Sequence, residues 1–120
     1  RWKATDMNVA VRKINNVAVV DLAGRVVIGE ALYNFRNTIR DVMNDGFRNI
    51  LLNLEDVSYL DSSGIGELVN CYTTVNAQGG SVKLVRASQK VSNRLQMTKL
   101  LTVFESYSSE RDSIASFLKP

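Results

Sequence analysis

Ser62 and Ser63 stand side by side between Asp61 and Gly64-Ile65-Gly66, and this short stretch gathers most of the chain's candidates for chemistry. A serine hydroxyl can attack as a nucleophile, cap a helix, or accept a phosphoryl group. Nucleophilic attack needs a base to take the proton. The chain has no histidine, and no lysine lies near Ser62 in sequence, so nothing evident would activate it. An enzyme is therefore the least supported reading. Glu55, Asp56 and Asp61 are close in sequence and resemble a carboxylate cluster, but carboxylates at strand ends and helix starts more often hold backbone N–H groups.

Other site chemistries fail on spacing. Gly64-Ile65-Gly66 lacks the third glycine of a dinucleotide loop, because Val69 occupies that position. No glycine is followed by Lys and then Ser or Thr, as a phosphate-cradling loop requires. One cysteine, Cys71, and no histidine give no metal-ligand spacing. No cofactor and no metal are expected.

The two hydroxyls fall where a strand passes through an acidic turn and a helix begins. A helix start leaves N–H groups unpaired and carries partial positive charge. A hydroxyl there is exposed, and an anion attached to it is accommodated. Capping is the plainer local reading of both serines. Gly64 and Gly66 each weaken the first turn by about 1 kcal/mol relative to alanine, which points to a packing or contact requirement. Their missing side chains would let another protein's backbone approach.

The elements that must position this stretch follow from periodicity. Val9, Val11 and Ile14 suggest a strand, and Asn15-Asn16 a hairpin turn into the β-branched run Val17 to Leu22. Gly24 is expected to stop that run and open a loop to Gly29, carrying Arg25, Val26, Val27 and Ile28. These apolar loop residues either line the core, the plainer reading, or face a partner. From about Glu30, residues Leu32, Phe35, Ile39, Val42 and Met43 share one helical face, closed at Gly46. Asn49 to Leu54 reads as a central strand. A second helix would bury Ile65, Leu68, Val69, Tyr72 and Val75 and end at Gly79-Gly80. Val82, Leu84 and Val85 make the next strand. Ser88 would cap a third helix turning Val91, Leu95, Met97 and Leu100 inward. Val103 to Tyr107 is a short last strand, and Ser109 with Asp112 begins a final helix carrying Ile114, Phe117 and Leu118.

Alternation of strands and helices after a hairpin argues for one sheet with helices packed on it. The expectation is an α/β fold: a mixed sheet of four to five strands with about four helices, in one domain over residues 1–120. Residues 1–7 are expected to be a loose lead-in, with Trp2 either docked on the sheet or part of a disordered tail. The 15 basic and 12 acidic residues are interleaved, which fits a solvated surface rather than a nucleic-acid stripe. No apolar run approaches a membrane span. A single cysteine cannot form an internal disulfide, so a reducing cytoplasm is expected.

Leu60-Asp61-Ser62-Ser63-Gly64-Ile65-Gly66, preceded by Ile50-Leu51-Leu52-Asn53-Leu54, closely resembles the signature of the STAS domain, and most of all the bacterial anti-sigma factor antagonists. The resemblance runs from about residue 8 to 118. It includes Gly24-Arg25 before the first loop, Gly79-Gly80 before a strand, and Leu100 to Phe104 leading into the last strand. It implies a STAS-type fold and a partner-switching cycle. Ser62 would be phosphorylated by an anti-sigma factor that is also a serine kinase, and a PP2C-like, metal-dependent phosphatase would restore it. Asp61 would orient the hydroxyl or cap the helix, and Ser63 would be a cap or secondary contact. The implied docking surface is Asp61, Ser62, Ser63, Gly64, Ile65 and Gly66, with Arg25 and Val27 beside them. The rival readings are a STAS scaffold of a larger signalling assembly and a STAS subunit of a transport system.

Overall fold

The described residues begin with a hairpin because Asn15 takes the left-handed conformation (φ 55°) that a tight turn needs and asparagine tolerates. A computed structural model describes residues 7–97 and 104–118. In it β1 (Asn8–Ile14) pairs antiparallel with β2 (Val17–Val26), Ile14 opposite Val17. Next come α1 (Glu30–Asn44), β3 (Asn49–Leu60), α2 (Ser62–Ala77), β4 (Ser81–Val85), α3 (Gln89–Met97), β5 (Glu105–Tyr107) and α4 (Glu110–Ser116). The sheet order is β1-β2-β3-β4-β5, and every pair after the first is parallel. Parallel neighbours need long crossovers, which α1, α2 and α3 supply.

Strand alternation sorts the core into two layers. Ala18, Val20, Ile50, Leu52, Val82 and Leu84 share a core with the apolar stripes of α1, α2 and α3. Val17, Val19, Leu51 and Val85 form a smaller cluster against Ile114 and Phe117 around α4. The expected α1 stripe is the one buried: Leu32, Phe35, Ile39, Val42 and Met43. Five strands and four helices are present among the described residues.

Several expectations are corrected. Glu55 to Ser58 is not a turn: β3 runs on to Leu60, with Val57 and Leu60 buried while Glu55, Asp56 and Ser58 stay exposed. Gly24 does not end β2. It adopts φ 91° where the β2–β3 register slips, and the strand continues to Val26. Local irregularity with glycine bends a strand without ending it. Met97 is 82% exposed, because a position two residues past Leu95 turns away from the face that Val91 and Leu95 bury. Leu118 lies beyond the end of α4 and is 66% exposed. On α2, Val69 and Tyr72 are half-buried, while Cys71 and Glu67 occupy the buried face. Of the expected loose lead-in, Met7 is instead buried in the main core, while residues 1–6, Trp2 among them, lie outside the described residues, as do Leu100 and Val103.

Candidate functional site

Asp61 joins two elements. It caps α2 with extended backbone, and its Oδ1 accepts the Gly64 N–H at 2.7 Å. Its Oδ2 accepts the Ile28 N–H at 3.0 Å, and its own N–H donates to the Val26 carbonyl at 3.2 Å. The loop after β2 is thereby tied to the start of α2. Burial opposes the Asp61 charge, but the N–H groups of Gly64, Ile28 and Ser63, with the nearby Arg94, outweigh it and hold the carboxyl below its usual range. The carboxylate thus caps α2.

Ser62 is the first residue of α2 and is exposed. Ser63 is half-buried, in a groove that also contains Ile28, Leu32, Tyr33, Arg36 and Gly66. The two glycines have different surroundings. A Cβ on Gly64 would sit 2.0 Å from the Val26 carbonyl oxygen, whereas one on Gly66 would meet nothing within 4 Å. Gly64 therefore serves packing inside the domain, and only Gly66 leaves room on the outside. Ile65 is buried in the main core. Of the loop residues, Val26 is buried, Val27 half-buried, and Ile28 is 76% exposed. Arg25 is exposed and stands over the Tyr59 ring, 5.3 Å from its centroid.

The three carboxylates separate. Glu55 pairs with Arg86 at 3.2 Å, Asp56 faces solvent, and Asp61 caps the helix. Among the described residues no group of three His, Cys, Asp or Glu side chains could hold a metal ion. What the site offers is an exposed serine, Ser62, beside the half-buried Ser63 at a helix N-terminus, where a transferred phosphoryl group would be tolerated.

The STAS domain family model matches residues 8–113. The chain belongs to the STAS domain family. An anti-sigma-B factor antagonist of Bacillus subtilis (strain 168) is 30% identical over 100 residues, covering 83% of this chain and 90% of that protein. The fold matches an anti-sigma factor antagonist from Mycobacterium paratuberculosis with a TM-score of 0.83 at 19% identity, covering 98% of both chains. It also matches the antagonist SpoIIAA in its unphosphorylated form, with a TM-score of 0.79 at 22% identity over 92% of this chain and 96% of that one.

Two features of this STAS domain were not foreseen in the sequence. Tyr33 is 59% exposed beside Ile28 and Ser63; its signal was an aromatic on the polar face of the first amphipathic helix. Glu67 is buried on α2 and accepts from Arg36 Nη2 at 2.7 Å and from Asn70 Nδ2 at 3.1 Å. Nothing local marked that acid as internal, because its partner lies on another helix.

Proposed function

We propose that this STAS domain is an anti-sigma factor antagonist and that the Ser62 hydroxyl is its switch. The observation that carries the reading is the exposed Ser62 at the first turn of α2, on a backbone fixed by Asp61. The antagonist named in Bacillus subtilis supports the role, and SpoIIAA, which shares the fold, is known in a phosphorylated form. In the unmodified state the surface around Ser62, Ser63 and Gly66, flanked by Arg25, Val27 and Ile28, docks an anti-sigma factor that is also a serine kinase. Asp61, Gly64 and Ile65 shape that surface from within. The site of action is the cytoplasm.

Within the complex, Ser62 Oγ attacks the γ-phosphorus of ATP. The Oγ–P bond forms, the bond to the β-bridging oxygen breaks, ADP leaves, and the hydroxyl proton passes to a base of the kinase. The product carries about −1.5 to −2 charges and added bulk. The helix N-terminus tolerates that charge, so the fold is retained. A partner packed against it must desolvate the phosphate close to Asp61, and binding weakens. A PP2C-like phosphatase restores the hydroxyl by hydrolysis, releasing inorganic phosphate.

The test is incubation with ATP and each candidate anti-sigma kinase of the same organism, followed by peptide mass spectrometry. Phosphate on Ser62 supports the reading. Phosphate on Ser63 alone, or on neither serine, contradicts it.

A further inference from the structure

Three cations from two elements converge on one ring. Arg25 of β2 lies 5.3 Å from the centroid of Tyr59, while Lys90 and Arg94 of α3 lie 5.8 and 5.0 Å from it. The ring's negative face attracts each cation, but three positive charges over one side chain also repel one another. Elsewhere Arg12, Lys13, Arg36, Lys83 and Arg86 each meet a carboxylate. Among the described residues Arg25 and Lys90 form no ion pair; the same holds for Arg40, Arg48 and Arg111, but those do not gather on a common ring. The cluster is suited to an anion.

We propose that Arg25, Lys90 and Arg94 around Tyr59 form an internal receptor for the phosphate carried by Ser62. The inference rests on Ser62 being the modified residue. Arg25 stands opposite Tyr59 and Val26 opposite Leu60 in the β2–β3 register, so the cluster and Ser62 hang from the same end of the sheet. Tyr59 precedes Ser62 by three residues, at most about 10 Å of chain. An extended Arg or Lys side chain is of comparable length. Arg94 already acts on Asp61, the residue next to Ser62. Phosphoserine brings three strong acceptor oxygens, which guanidinium groups bind in pairs. On the other flank Arg36 is the competing cation, but both its Nε and Nη2 are engaged by Glu67.

Phosphorylation would then do more than spoil a docking surface. It would draw Arg25 and Lys90 onto the new charge, settling the released form in a state of its own. Phosphoserine placed at position 62 during translation makes the test independent of any kinase. Thermal midpoints of the serine and phosphoserine forms are compared in the parent, in an Arg25→Gln/Lys90→Gln double variant, in Lys13→Gln and in Arg36→Gln. Arg94 is half-buried and is left in place.

The phosphate is expected to raise the parent midpoint by about 3 °C. The double variant should lose more than half of that gain, keeping only the part owed to the helix N-terminus, while Lys13→Gln and Arg36→Gln keep it all. No gain in the parent, an equal gain in the double variant, or a loss confined to Arg36→Gln would overturn the proposal. Each of those results leaves the kinase experiment on Ser62 to stand or fall by itself.

Discussion

At Asp61 each carboxylate oxygen holds a different piece of chain: Oδ1 the first turn of α2, Oδ2 the loop after β2. Asp61→Ala removes both acceptors and should lower stability by about 1–2 kcal/mol, the upper range for a lost cap, read from urea denaturation. The paired glycines predict opposite signs. Gly64→Ala forces a methyl against the Val26 carbonyl and should destabilise by about 1–3 kcal/mol. Gly66→Ala meets open space and should stabilise the helix by about 0.5–1 kcal/mol while impeding partner docking. Equal effects on folding would contradict the packing role assigned to Gly64. Burial, with the negative Glu67 adding to it, pushes the Cys71 thiol up to about 12. Native protein should therefore resist alkylation at pH 8 that denatured protein undergoes readily. The motif placed the serines at a helix start. It could not separate the two glycines, because the atom that Gly64 accommodates belongs to a strand far back in the chain.

At the level of elements, α4 is fastened across the sheet by polar contacts. Arg12 of β1 bonds both Asp21 of β2 and Glu110 in the first turn of α4. Lys83 Nζ donates to Ser116 at the helix's other end, at 2.8 Å. Hydrogen bonding to Arg12 is the main cause that holds the Asp21 and Glu110 carboxyls below their ordinary values. Because the folded values lie lower than the unfolded ones, this stabilisation is fully present above the usual carboxylate range of about 4. It is lost as pH falls through the lowered folded values. Urea midpoints should decline on acidification below about pH 4, and Arg12→Gln should flatten that decline; an unchanged slope would contradict the linkage. Arg12 and Glu110 are 98 residues apart, so no local pattern could reveal their pairing. Local patterns did reveal the α1 stripe, whose spacing repeats over a 15-residue helix. They failed at Glu55 to Ser58, where acidic and polar residues suggest a turn but occupy the exposed positions of a strand held by its neighbour.

Across the whole molecule, β2 and β3 end together, and the loop after β2 and the start of α2 are joined there by Asp61. This arrangement presents Ser62 on a firm backbone with Ile28 and Tyr33 exposed nearby and the Tyr59 cations on the same end of the sheet. On the proposed reading, phosphorylation would change the charge of the surface without changing the fold that carries it. Far-ultraviolet circular dichroism of the phosphoserine form should match that of the serine form. The most direct measurement is calorimetric affinity for the proposed anti-sigma partner, compared among the parent, Ser62→Ala, Ser62→Asp and phosphoserine 62. Parent and Ser62→Ala should bind alike, whereas Ser62→Asp and phosphoserine should bind at least tenfold more weakly, about 1.4 kcal/mol. Equal affinity across all four forms would contradict the switch.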